Sequence, residues 1–212
     1  MRFNPSRFDR HLQNIGQRVL WRHSYACACV NAASGQPDPK HALCMGKGRL
    51  WDPAVATIAG VASQAVQVQW IQSGQFENGD LVVSVPQTSA MYNAGQFDRV
   101  VMKNSTDVFS MPLTRGAPSE RILFPIQSIN RVFWLHPTTR LIVEGGIPDF
   151  DADGHLTWTE GGEPPSGMVY SVTGIKFDEY FIFQGLLSDR GEHQGARLPK
   201  KVTLRKWDLF GR

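Results

Sequence analysis

The sequence predicts a mainly β fold, a sandwich or barrel-like domain preceded by one helix and a small Cys/His loop module. Three observations carry that prediction. Twenty glycines and 13 prolines punctuate 212 residues too often for a helix bundle. Between the turn signals, short runs alternate apolar and polar residues at spacings of roughly 8 to 12 residues, as sandwiches and barrels do. All three cysteines, and one of six histidines, fall between Cys27 and Cys44.

The first twenty residues hold the helix: Phe8, Leu12, Ile15 and Val19 recur at steps of four, three and four and would share one face. Ser6 stands in the capping position, with Asp9 three residues on in the place a capping box gives to Glu or Gln. From Val19 the period turns to two, through Trp21, His23 and Tyr25, so that a strand delivers Cys27. We expect residues 1–51 to form this helix, the strand and the Cys/His module, and 52–212 to form the β-rich domain. Residues 52–65, with Ala54, Ala56, Ile58, Ala59, Val61 and Ala62, read equally as a short helix or an apolar linker.

Strand candidates then follow at Val66–Trp70, Leu81–Val85, Arg99–Lys103, Arg121–Gln127, Arg131–His136, Leu141–Glu144, His155–Thr159, Met168–Ile175, Glu179–Gln184 and Val202–Trp207.

The spacing Cys27-x-Cys29, then His41-x-x-Cys44-x-Gly-Lys-Gly, is that of a four-ligand metal site. Thiolates and an imidazole complete a tetrahedral zinc shell, and glycines after the last ligand let backbone amides turn toward its sulfur. Cys27 and Cys29 have one spacer fewer than the usual pair, so three ordinary thiols beside a loop histidine remain the competing reading. An odd cysteine count argues against a disulfide framework.

A second acidic pattern, Asp149, Asp151, Asp153, Gly154 and Glu160, matches a calcium loop at positions one, three, five, six and twelve. Its surroundings argue for a tight β turn instead. Pro148 precedes it and Gly161-Gly162 follows, where a calcium-binding hand needs helices.

The last segment places Lys201, Thr203 and Arg205 on one strand face and Val202 and Leu204 on the other, flanked by Lys200 and Lys206. Lys200, Lys201, Arg205 and Lys206 are therefore candidates for contact with a partner or with DNA, although a solvated edge strand kept soluble by its cations explains them more simply. A formal net charge of +3 permits an acidic partner without demanding one.

The chain has no glycine-rich phosphate loop, nucleophile elbow, His-Glu-x-x-His or dinucleotide fingerprint, which lowers an enzymatic reading without removing it. It has no apolar run of membrane-spanning length, and its start lacks the apolar core of a secretory signal. We expect a protein that first folds in a reducing cytoplasm, with no membrane partner and no small-molecule substrate.

The order of several segments resembles a family of small virion proteins of tailed bacteriophages, placed at the neck between head and tail. The segments are the Phe3-Asn-Pro-Ser-Arg-Phe-Asp-Arg10 opening, Cys27-x-Cys29, Cys44-Met-Gly-Lys-Gly48, Phe97-Asp-Arg-Val, the Asp-Ala-Asp-Gly-His-Leu-Thr-Trp158 turn, Pro164-Pro-Ser-Gly-Met-Val-Tyr-Ser-Val172, Glu179-Tyr180 and Leu198 to Phe210. The resemblance implies a non-enzymatic collar or head-to-tail connector that forms a ring with its own copies. It further implies contact with portal, adaptor or tail proteins and residence in the virion after assembly in the host cytoplasm. Non-specific contact with channel DNA through the terminal strand would accompany that role. Related sequences would offer a cysteine where this chain has His41, which remains an acceptable zinc ligand. Two alternatives stand beside it: a cytoplasmic zinc-ribbon-type module that binds nucleic acid or protein, and a tail or baseplate component.

Overall fold

Alternation with a period of two builds the larger part of this molecule. In a computed structural model, which describes residues 5–63, 72, 79–185, 191–193 and 195–210, strands dominate and follow one helix, α1 (Pro5–Ile15). The strands are β1 (Gln17–Arg22), β2 (Ser24–Ala26), β3 (Arg49–Trp51), β4 (Val55–Val61), β5 (Leu81–Val85), β6 (Arg99–Thr114), β7 (Ile126–Leu135), β8 (Ile142–Glu144), β9 (Asp149–Phe150), β10 (Leu156–Thr157), β11 (Val169–Gly185), β12 (Glu192–His193), β13 (Ala196–Arg197) and β14 (Lys200–Lys206). Among the described residues no helix is long and apolar enough to cross a membrane.

Packing divides the chain elsewhere than at the expected boundary after residue 51. One compact unit comprises residues 1–104 and 179–212, the other 105–178, and the long strands β6 and β11 contribute to both.

In the first unit six strands close on themselves in the order β14-β5-β4-β1-β6-β11, with β11 returning to β14. Closure resolves the sandwich-or-barrel choice and leaves these strands no free edge. Residues two apart point inward together: Val83 with Val85, Val100 with Met102, Tyr180 with Ile182 and Val202 with Leu204, joined by Val19 and Ala59. One apolar side chain of the helix is buried where it packs on this wall. Leu12 is buried, whereas Phe8 is 38% and Ile15 is 61% exposed. Val19, the fourth member of the expected helical face, belongs instead to β1. A Cβ on Gly60 would lie 2.5 Å from Leu12 Cδ2, so glycine in β4 is what admits the helix. The helix begins at Pro5, which places Ser6 inside its first turn rather than ahead of it, with Asp9 one turn further on. Its Oδ1 is buried without a hydrogen-bond partner.

The second unit has its own core, in which Phe109, Leu113, Ile122, Ile129, Val132, Tyr170 and Val172 meet. There β7 pairs with β11 from Tyr170 to Lys176, β8 pairs with β7, and β9 with β10 forms a short hairpin.

Three expectations change and a fourth is not tested. Residues 55–61 are neither helix nor linker but a barrel stave, because Thr57 and Ala59 pair with Val19 and Gln17. Arg121–Gln127 is not a strand: Arg121 makes an isolated bridge to His155, and pairing resumes at Ile126. The expected strands at 168–175 and 179–184 are one, β11, since no glycine or proline falls between Ile175 and Glu179; register shifts near Gly174 and Lys176 take the place of a break. The strand expected at Val66–Trp70 lies outside the described residues.

Candidate metal centre

A buried carboxylate sets the entry to the Cys/His module. Asp98, wholly buried, accepts from Trp21 Nε1 at 2.8 Å, the Ser24 amide at 2.8 Å and the Gly95 amide at 2.9 Å. His23 Nδ1 lies 3.1 Å from Oδ1 of the same carboxylate. These donors hold the chain at the joint between β1 and β2, and an unpaired carboxylate there would be costly to bury.

Beyond that joint β2 and β3 form a ribbon, Ser24 opposite Trp51 and Ala26 opposite Arg49. The Cys27 amide extends it by donating to Gly48 O at 2.9 Å. A turn then carries the Val30 amide back to Cys27 O at 3.1 Å, and the Asn31 side chain accepts from the amides of Ala33 and Ser34. On the return, His41 donates its amide to Asp38 O, Met45 to His41 O and Lys47 to Cys44 O, at 3.2, 2.8 and 3.0 Å. Met45, Gly46 and Gly48 all have positive φ, at 49°, 76° and 69°. This is the knuckle that Cys-Met-Gly-Lys-Gly predicts, with left-handed backbone supplied mainly by glycine.

The ribbon and knuckle bring together Cys27, Cys29, His41 and Cys44, whose ligand atoms all lie within 4.8 Å of one another. Cys27 Sγ is 3.4 Å from His41 Nδ1, and Cys29 Sγ is 3.4 Å from Cys44 Sγ. The thiols are free, and their separation is far beyond a sulfur–sulfur bond of about 2.05 Å. A tetrahedral zinc shell sets sulfurs about 3.8 Å apart and sulfur and nitrogen about 3.6 Å apart, which the cluster's distances bracket. Cys27 and Cys44 are buried and Cys29 and His41 half-buried.

The thiols are electrically unequal. Burial raises Cys29, and hydrogen bonds with Cys44 and Cys27 raise it further against the opposing Asp38 amide, to about 11. Burial would raise Cys44 as well, but hydrogen bonds with the Gly48 amide, Cys29, His41 and the Gly46 amide outweigh it and bring Cys44 to about 6. One thiolate therefore stands ready at neutral pH within a set of four protein ligands, which suits a soft or borderline divalent cation.

The other predicted residues do not gather. Asp149, Asp151, Asp153 and Glu160 do not bring their ligand atoms together; among the described residues the Cys/His group is the one set of three or more that does. Asp151 instead closes the β9–β10 turn by accepting from the amides of Asp153 and His155, both at 2.9 Å, and the His155 amide bond chiefly holds its carboxyl below the usual range. The turn reading describes this loop.

Nor do Lys200, Lys201, Arg205 and Lys206 form a row of cations. β14 is no edge strand but pairs with both β5 and β11, and Thr203, expected on the solvated face, is wholly buried. Arg205 makes a two-pronged ion pair with Asp80 at 3.1 and 2.9 Å. Lys200 Nζ lies 4.4 Å from the Tyr92 ring centre, leaving Lys201 and Lys206 exposed.

Sequence reasoning missed the surface beside the knuckle. Trp207 and Phe210 stack at 4.9 Å, and Trp51 meets Trp207 edge-on at 5.1 Å. Lys47 Nζ lies 5.0 Å over Trp207, and the Arg49 guanidinium lies 4.4 Å over Phe97. These aromatics come from distant parts of the chain, so no local spacing announces them. No protein-family model matches this chain, and no curated protein sequence matches it.

Proposed function

We propose that this chain is a non-enzymatic structural component of a tailed-bacteriophage virion, part of a ring at the neck between portal and tail, and that zinc occupies its Cys/His cluster. One observation carries the reading. Four protein ligands converge on a single point, so a bound zinc ion has its tetrahedral shell filled and keeps no open position for substrate or activated water. A metal of that kind is a structural pin. It holds a loop with little core of its own against a closed barrel, giving a stiff body of the sort a ring of identical contacts requires. The order of sequence segments described above supplies the virion setting.

Within this reading Cys27, Cys29, His41 and Cys44 hold the ion, and the work of the protein is to present fixed surfaces. Immunogold microscopy of particles from the source, with antibody against the full chain, tests the placement. Label at the head-to-tail junction is the expected result. Label at the distal tail would move the protein to the baseplate, and accessible antigen with no particle label would end the virion reading. Metal analysis of the purified protein tests the pin, with one zinc per chain expected.

A second reading, a zinc-pinned nucleic-acid-binding module, draws on Lys47 and Arg49 beside Phe97, Trp207 and Phe210. Binding to single-stranded oligonucleotides with a steep salt dependence would favour it.

A further inference from the structure

The knuckle forms one wall of a cleft of about 780 Å³ in the barrel unit, with Met45, Lys47 and Arg49 on one side and Phe97, Phe183 and Phe210 among its apolar lining. That volume is in the range of sites that enclose a compact ligand or an inserted loop tip. Its charge is unbalanced. Arg205 is matched by Asp80, and Glu179 pairs with Arg99, but neither Lys47 nor Arg49 has a carboxylate at ion-pair distance among the described residues. The cations also lie across the aromatic faces, Arg49 on Phe97 and Lys47 over Trp207 and Phe210.

The same chain carries the complement. The β9–β10 hairpin exposes Asp149, Phe150, Asp151 and Asp153 together. It is held stiff: Ile122 donates its amide to Gly154 O at 2.8 Å, Arg121 bridges to His155, and Leu156 packs on the core of the second unit. No cation stands at ion-pair distance from Asp149 or Asp153 among the described residues. An ordered acidic tip with an exposed aromatic ring is a preorganised insert.

We propose that the cleft receives the Asp149–Asp153 hairpin of a second copy of this chain, its carboxylates meeting Lys47 and Arg49 and Phe150 entering the apolar lining. Two different surfaces meet in such a contact, so it is heterologous, and repetition closes a ring or extends a filament. The proposal rests on the ring reading above and names the surfaces that make it.

Sedimentation velocity of the full chain over a range of concentrations, at low and at physiological salt, tests it. Wild-type protein is expected to associate. Arg49→Glu and Asp149→Lys, each alone, are expected to weaken association at least tenfold, and the double variant to recover most of that loss, since the reversed charges again pair. Asp149 is chosen because Asp151, not Asp149, closes the turn. Unchanged zinc content and melting temperature show that each variant folds. Wild-type protein that stays monomeric, single variants that associate normally, or a double variant as weak as the singles would each overturn the proposal. So would oligonucleotide binding that Arg49→Glu abolishes without altering association, which would give the cleft to nucleic acid. Normal rings from charge-reversed protein would remove this contact while leaving the ring reading intact, and misplaced immunogold label would do the reverse.

Discussion

The barrel and the Cys/His module belong to one compact unit, yet they are held by different physics. In the barrel, Val83, Val85, Val100 and Leu204 are wholly buried and each faces others of its kind. Between residues 27 and 48, only Cys27, Cys44 and Gly48 are buried, and Leu43 is 72% exposed. Two of those three are candidate metal ligands. The barrel can fold on apolar burial and strand pairing, whereas the module has almost no apolar surface to remove from water and rests on turns, glycine geometry and, in the function proposed above, an ion. A binding energy of about 10–16 kcal/mol, typical of structural zinc sites, is ample to order a loop of this size.

Metal removal should break the comparison most visibly. A strong chelator is expected to bring amide exchange across residues 27–48 close to free-peptide rates while β1, β5 and β14 stay protected, as followed by hydrogen-exchange mass spectrometry. Protection that survived chelation would mean the module holds itself. Zinc affinity should also fall as pH is lowered, because protons compete for the ligands. Cys44, near 6, is already ionised at neutral pH, while Cys29, near 11, must still release its proton to the solvent on binding. Competition titrations at pH 6, 7 and 8 would show a loss of up to about tenfold per pH unit for each proton displaced.

Leu204→Ala probes the other side. Removing a wholly buried side chain should cost about 2–5 kcal/mol in urea unfolding and leave zinc content untouched. A coupled loss of zinc would show that barrel and module are less separate than their burial implies.

Glu120→Gln asks whether the second unit behaves like the barrel. Glu120 accepts from Tyr170 Oη and the Gly116 amide, both at 2.7 Å, and from Arg115 at 3.2 Å. Burial alone would raise its pKa, but these partners outweigh burial and hold the carboxyl below its usual range. With the folded value depressed, the carboxylate's contribution is complete above the ordinary carboxylate pKa and is lost as pH falls through the folded value. The variant should lose about 1–3 kcal/mol near neutral pH, with the difference from wild type shrinking in acid. Thermal melts at pH 7 and pH 3 check both statements.

Lys47→Met should have the smallest effect, about 0.5–1 kcal/mol, by removing the cation from above Trp207. Tryptophan emission would report it as a small spectral shift with no loss of zinc.

How much of this was legible in the sequence follows the same division. The knuckle was readable because its chemistry is local: Cys44 to Gly48 carries ligand and turn residues in consecutive order, and His41 lies one helical turn before Cys44. Strand alternation announced β5, β6 and β14, but not which strands would close on which, since Val202 gives no sign that it must face Val83. Residues 55–61 were ambiguous because Ala and Gly suit a linker, a helix or a crowded stave; the stave is fixed by pairing with β1, a distant partner, and Leu12 takes the space over Gly60. The basic face of β14 was misread because Lys and Arg usually mark an edge, whereas here Arg205 answers a buried Asp80, 125 residues away. Asp98 was invisible for the same reason, its donors Trp21 and Ser24 lying more than 70 positions earlier.

β6 and β11 are hydrogen-bonded neighbours in the barrel, and the chain leaves it along one and returns along the other. Residues 105–178 are therefore an insertion whose two ends emerge side by side. Such a joint is tolerant in evolution and in engineering alike: the insert can be exchanged, lengthened or replaced by a two-residue hairpin turn without asking any other strand to change its neighbours.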